Sequence, residues 1–237
     1  MKNRKILFIV ISSILIACIV ALSVYVFAFY LPKKQKEAET ERLIKQYYDN
    51  KLSYYQTEND FYADYEVDVA FLGDSLTDGY DLKTYYPNLV TSNRGIGGET
   101  TYGLESRMQV SVYDLKPKIA VMLIGGNNLK TMFDNYENLL SGLKTNLPDT
   151  KVIIVSLTAM GGSWAHKNET ATYNNVIIKK LANKYGYSFV DSFTPLFNEE
   201  TGEIYSNYTS DGVHLTHDGY VVLTNAIYPE ILKLLEN

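Results

Sequence analysis

The stretch Val67-Asp68-Val69-Ala70-Phe71-Leu72-Gly73-Asp74-Ser75-Leu76-Thr77-Asp78-Gly79 carries an apolar, β-rich segment straight into a short polar turn between glycines. Residues 67–72 read as a strand, and residues 73–79 read as a strand-to-helix turn. The same pattern recurs along the chain. Residues 151–156 and 187–190 read as short strands, 119–124 as a fully buried one and 89–92 as a weaker one. Helical stretches fill 102–113, 129–147, 170–185 and 218–235. Strands alternating with longer helices require right-handed crossovers, and hence a parallel sheet covered on both faces. The expectation is an α/β sandwich over residues 61–237, a normal size for one domain. Such a sheet puts its site at the carboxyl ends of the strands, so chemistry is to be sought just after each strand run.

Of 237 residues, 46% are apolar and 21% charged, a globular balance that excludes a wholly disordered or collagen-like chain. There are 22 Lys+Arg against 27 Asp+Glu, a net charge of −5, and no basic cluster beyond the N-terminal region. A nucleic-acid partner is therefore not expected, because such surfaces act by neutralising phosphates. The single cysteine, Cys18, cannot close an internal disulfide, and the three histidines lack zinc-site spacing. Neither metal nor cofactor is expected.

Between Ile6 and Leu31 no side chain is charged, and only Ser12, Ser13 and Ser23 are clearly polar. As a helix this run is long enough to cross a hydrocarbon core of ~30 Å. Residues 1–31 are thus expected to form a short basic start and an uncleaved transmembrane anchor. Two alternatives stand beside it: lipidation at Cys18, suggested by Leu15-Ile16-Ala17-Cys18, and cleavage of a signal peptide. Against them, the apolar run continues to Leu31 and no Ala-x-Ala precedes Pro32. Pro32 closes the span, and residues 32–60, charged and rich in helix formers, read as a helical stalk. Lys2, Arg4 and Lys5 precede the span, while Lys33, Lys34, Lys36, Arg42 and Lys45 come after it, so counting basic residues does not orient it. The signal-like order of a basic start and an apolar run, with long domains translocating largely regardless of charge, places the domain outside the cytoplasm, on the cell membrane.

Four segments carry candidate chemistry. Ser75 stands at the first strand-to-helix turn, where a hydroxyl is exposed and its own N–H can face an oxygen on an attacked carbon. Asn93-Arg94-Gly95-Ile96-Gly97-Gly98-Glu99-Thr100 comes after the weak second strand, and its glycines let backbone N–H groups approach a substrate. Gly125-Gly126-Asn127-Asn128 comes after the third, where an asparagine amide could add a donor to an anionic oxygen. Asp211-Gly212-Val213-His214 precedes the last helix, and an Asp three residues before a His can accept the Nδ1 proton and leave Nε2 as general base. Taken singly, each also reads as an ordinary cap, turn or solvated loop. Together they supply one nucleophile, one base, one orienting acid and a cluster of donors.

On these residues the sequence resembles the SGNH hydrolase superfamily, also called GDSL esterases/lipases, from about Val67 to the C-terminus. Gly73-Asp74-Ser75-Leu76 is that family's namesake signature. The Asn-x-Gly-Ile-Gly-Gly run is shared with its platelet-activating-factor acetylhydrolase-like and small bacterial acylesterase members. The resemblance implies a flavodoxin-like three-layer α/β/α sandwich with a five-stranded parallel sheet. It implies Ser75 as nucleophile, Asp211 and His214 as its relay, and an oxyanion hole formed by the N–H groups of Ser75 and Gly98 with the Asn127 side chain. The activity implied is hydrolysis of short-acyl, chiefly acetyl, esters through an acyl-serine, on a small ester or an acylated glycan or lipid. Lysophospholipase, thioesterase and O-acyltransferase readings share the same chemistry, and a catalytically silent glycan- or lipid-binding module is the alternative of another class. One departure is plain: the family's third block reads Gly-x-Asn-Asp, and Asn128 occupies the aspartate position, which is expected to alter a supporting hydrogen bond.

Other candidates are lesser. His217 is a rival base with poorer spacing from Asp211, and beside Asp218 it reads as a helix start. Gly161-Gly162-Ser163-Trp164-Ala165-His166 comes after the fourth strand but is not GxSxG. Trp164 and His166 are expected to wall the substrate pocket, with loop packing the alternative. The 21 tyrosines read mainly as core and half-buried residues, and the triplets at Asn168 and Asn207 match glycosylation sites of the kind that arise by chance.

Overall fold

The structure, a computed structural model, describes Lys2–Glu236. Met1 and Asn237, the outer ends of the expected anchor and domain, lie outside the described residues. The chain divides into two compact units, Met1–Asn50 and Lys51–Asn237.

The first unit is helical. Helix α1 (Lys2–Tyr25) passes through a π-helical segment (Val26–Tyr30) into α2 (Leu31–Phe61). Pro32, the expected end of the apolar span, sits inside the continuing helix. Proline has no N–H for the carbonyl four residues back, and the turn just before it is widened, with the Leu31 N–H reaching Val26 O. The apolar side chains of this stretch are exposed, Phe8 at 72% and Phe27 at 71%. Among the described residues, one helix, Asn3–Phe61, is long and apolar enough to cross a membrane. Beyond Pro32 its surface turns to ion pairs such as Arg42–Glu39 and Lys45–Asp49, the spacing that supports exposed helices.

The second unit begins with the last turns of α2. It continues as β1 (Val69–Gly73), α3 (Ser75–Asp78), α4 (Leu82–Tyr85), β2 (Thr91–Gly95), α5 (Thr101–Ser106), β3 (Ile119–Leu123) and α6 (Tyr136–Asn146). Next come β4 (Lys151–Val155), α7 (Asn168–Tyr185), β5 (Ser188–Val190), α8 (Phe193–Leu196), a small β6–β7 hairpin (Phe197–Asn198, Glu203–Ile204) and α9 (His217–Glu236). The five main strands are parallel in the order β2-β1-β3-β4-β5. This is the doubly wound order whose crevice opens where β1 meets β3. Helices cover both faces of the sheet, so β1 and β3 are buried along their whole length, as continuous apolar runs require. The three-layer α/β/α sandwich and its five parallel strands agree with the expectation.

Two local differences have physical causes. The second strand lies at residues 91–95 and takes in Asn93-Arg94-Gly95, expected as loop. Its inward residues are Ser92 and Arg94, both fully buried, so no apolar alternation marks it. Arg94 is tolerated there because Glu58 of α2 lies 3.0 Å from its Nη2 and Nη1 donates to Tyr55 O at 3.1 Å, which offsets the cost of an interior charge. For the same reason residues 51–60, expected as stalk, pack with the α/β unit. The β6–β7 hairpin leaves no mark in the sequence pattern, its strands being two residues each.

Candidate active site

Four loops at the carboxyl ends of the strands assemble the site. The β1 strand stops at Gly73, and Asp74 caps the short α3, its Oδ1 accepting the Leu76 N–H at 3.1 Å. This sets Ser75 on the first helical position, where the N–H has no intrahelical acceptor. Near the C-terminus, the Thr209–Leu215 bridge closes a tight turn whose Gly212 takes φ +92°. Within it, the Asp211 Oδ1 accepts the N–H of Val213 at 3.0 Å and of His214 at 2.8 Å. Asp211 Oδ2 lies 2.7 Å from His214 Nδ1, and His214 Nε2 lies 3.1 Å from Ser75 Oγ. Carboxylate, imidazole and hydroxyl are therefore in line.

Electrostatics differ between the two aspartates. The Asp211 carboxyl is drawn down to about 2, first by the His214 imidazole hydrogen bond, then by the two backbone N–H groups. It remains an anion, and so an acceptor, at any ordinary pH. Asp74, only 3% exposed, is pushed up to about 6 by burial, against the pull of the Leu76 N–H.

Gly98 is exposed on the loop after β2 at φ +77°, a conformation that disfavours any other residue. Among the described residues, neither its N–H nor that of Ser75 donates to a protein acceptor. Asn127 sits in the turn after β3 and donates one Nδ2 hydrogen to Glu99 O at 2.9 Å, which joins the β2 and β3 loops. Asn128 supports that joint: its Oδ1 accepts Thr101 N–H at 3.3 Å and its Nδ2 donates to Thr101 Oγ1 at 2.9 Å.

Ser75, Asp211, His214, Asn127 and Trp164 line one cavity of about 160 Å³, floored by Leu76, Leu123, Leu157 and Met160. Gly98 is not among its lining residues. Nor is His166, which is exposed; Lys167 lines it instead, its Nζ 4.3 Å from the Trp164 ring centroid. His217 starts α9 with its Nδ1 2.9 Å from Tyr85 OH and its ring stacked on that tyrosine. A larger open groove of about 620 Å³ runs along β5 and α7 and holds none of these groups. Among the described residues there is no cluster of His, Cys, Asp and Glu that could hold a metal ion. Sequence reasoning misses Asp74 and Lys167 as members of the site. Asp74 lies inside the Gly-Asp-Ser-Leu signature, and Lys167 directly follows the segment 161–166 whose Trp164 and His166 are expected to wall the pocket.

Residues 71–222 match the family described as GDSL-like Lipase/Acylhydrolase family. The chain is 27% identical over 188 residues to platelet-activating factor acetylhydrolase IB subunit alpha1 of Rattus norvegicus, covering 73% of this chain and 78% of that one. It is 26% identical over 207 residues to an acetylxylan esterase of Geobacillus stearothermophilus, covering 69% and 93%. Among solved structures, a GDSL-like lipase of Bacteroides thetaiotaomicron superposes with a TM-score of 0.68 at 26% identity, covering 77% of this chain and 97% of that one. With more than half of its length matched, the chain belongs to the GDSL-like lipase/acylhydrolase, or SGNH, family and is a carboxylic ester hydrolase.

Proposed function

We propose that the protein is a membrane-anchored serine esterase that releases short acyl groups, chiefly acetyl, through an acyl-Ser75 intermediate. The carrying observation is the line from Asp211 Oδ2 through His214 to Ser75 Oγ, with steps of 2.7 and 3.1 Å. His214 takes the Ser75 proton as the oxygen attacks the carbonyl carbon, and Asp211 stabilises the imidazolium. The N–H groups of Ser75 and Gly98 and the second Asn127 Nδ2 hydrogen receive the tetrahedral oxyanion. The proton then passes from His214 to the leaving alcohol. Water, deprotonated by the same imidazole, attacks the acyl-enzyme and frees the acid.

Short acyl groups are favoured by the small cavity of about 160 Å³, and the likeness to an acetylxylan esterase supports acetyl esters of glycans. The exposed Trp164 offers a face on which a sugar ring can stack. Anchoring rests on the apolar, solvent-facing side chains of the N-terminal helix, which need lipid around them. The signal-like order of the N-terminus supports a hydrolase domain outside the cytoplasm. An ester panel of increasing acyl length tests the reading: kcat/KM falling steeply beyond acetyl and propionyl supports it, and a rise toward long chains refutes the short-acyl assignment.

A further inference from the structure

Beneath the two donor loops lies a buried ionic network that the proposed reaction does not touch. Its hub is Arg107, whose side chain is 1% exposed. Arg107 Nε donates to Glu99 Oε2 at 2.8 Å, Nη1 to Arg94 O at 2.9 Å and Nη2 to Gly73 O at 3.1 Å. Gly73 ends β1 two residues before Ser75. Glu99 is the neighbour of Gly98, and its carbonyl receives the Asn127 amide. One guanidinium thus ties the nucleophile turn to the loop that carries the oxyanion donors.

The last turns of α2 close over this hub. The Tyr55 ring lies 4.9 Å from the Arg94 guanidinium and 5.9 Å from that of Arg107, and its hydroxyl donates to Gly95 O at 2.7 Å. Gly95 is wedged against the Ser75 turn: a Cβ there would come within 2.2 Å of Asp78 N and 2.6 Å of Thr77 C. Glu58 Oε2 accepts from Ser92 Oγ at 2.8 Å and faces Arg94, while Lys51 pairs with Asp78. Removing one member of a buried ionic network leaves its partner's charge uncompensated, which is costly.

We propose that Tyr55 and Glu58 are positioning residues of the esterase, which set the distance between the Ser75 turn and the Gly98 and Asn127 donors. Catalysis then depends on a helix that lies outside the family match at 71–222 and is continuous with the apolar N-terminal segment. The inference rests on the serine-esterase reading. Donors aimed at a developing oxyanion lose much of their effect when displaced by a fraction of an ångström. Neither Tyr55 nor Glu58 lines the substrate cavity, so their loss is expected in kcat and not in KM.

The test uses full-length protein in detergent, with active sites counted by saturating fluorophosphonate labelling and turnover of p-nitrophenyl acetate expressed per labelled serine. Wild type labelled at Ser75, with Ser75→Ala unlabelled, secures the underlying reading; no label on wild type sinks that reading. Tyr55→Phe keeps the ring and removes only the hydroxyl, and Glu58→Gln keeps the shape and removes the charge. Each is expected to lower kcat per labelled serine on the order of 10-fold, with KM within about twofold. Wild-type kcat per labelled serine in both variants overturns the proposal, whatever happens to their melting temperatures. Should one variant not fold, the other decides.

Discussion

His214 is gripped twice by one carboxylate: Asp211 Oδ2 lies 2.7 Å from the imidazole Nδ1, while Oδ1 accepts the His214 backbone N–H at 2.8 Å. The ring is thereby fixed relative to its own backbone, and its Nε2 is left facing Ser75. The side chains of both residues are about half exposed, so orientation here comes from hydrogen bonds and the tight turn, not from burial.

Asp211→Asn separates geometry from charge. The amide oxygen can still accept the Val213 and His214 N–H groups, but its NH₂ then faces Nδ1 and favours the tautomer that cannot accept the Ser75 proton. A fall in kcat on the order of 10³–10⁴ is expected with the fold intact, measured by steady-state hydrolysis beside circular dichroism. Activity within a few-fold of wild type would contradict it.

Asn127→Ala removes one of the proposed oxyanion donors and is expected to cost on the order of 10²–10³ in kcat, with little change in KM. Asn128→Asp, the family's usual residue, should act otherwise. Thr101 Oγ1 already donates to Asn135 Oδ1 at 2.7 Å, so a carboxylate beside it meets an acceptor. A loss of about 1 kcal/mol in stability with kcat within about threefold is expected, read from denaturant melts and initial rates.

Asp74 gives a pH-dependent stability. Its folded pKa of about 6 stands above the ordinary 3.8, so the fold favours the protonated form. The penalty is therefore absent below pH 3.8, grows between 3.8 and about 6, and is complete above. Asp74→Asn keeps the acceptor for the Leu76 N–H and removes the buried charge. It should melt higher than wild type at pH 8, by on the order of 2 kcal/mol, with the difference closing by about pH 4. Equal differences at both pH values would rule this out.

The apolar N-terminal helix predicts membrane retention. Full-length protein should stay with the membrane fraction after alkaline carbonate washing, and protease added to intact cells should reach the hydrolase domain. Release by carbonate, or protection from external protease, would overturn anchoring or orientation respectively.

Strands β1, β3 and β4 are legible in the sequence because their burial is written in apolar side chains, while the short β5, half-buried at Ser188 and Phe189, is marked by its β-prone residues after α7. The β2 strand lies away from its expected place because it buries Ser92 and Arg94, whose partners Tyr55 and Glu58 lie more than thirty positions upstream, and no local periodicity reports a distant ion pair. The residues at the line from Asp211 to Ser75 can be named from sequence since each stands just after a strand or just before the last helix, where the fold opens. The Arg107 hub is not legible, for its role comes from what other loops bring beside it, whereas Lys167 lies one residue past the segment read as a pocket wall and packs on its Trp164. The border between stalk and domain is equally hidden, as residues 51–60 look like ordinary charged helix until Tyr55 is seen against Arg94.

In the proposed reaction the Ser75 oxygen attacks the ester carbonyl and carries the acyl group. Acid quenching during steady-state turnover of p-nitrophenyl acetate, with peptide mass spectrometry of the quenched protein, tests it most directly. An acetyl adduct on Ser75 that is absent from Ser75→Ala and accumulates in a variant slowed in deacylation is the predicted result. Turnover that persists in Ser75→Ala, or an adduct confined to another residue, would contradict it.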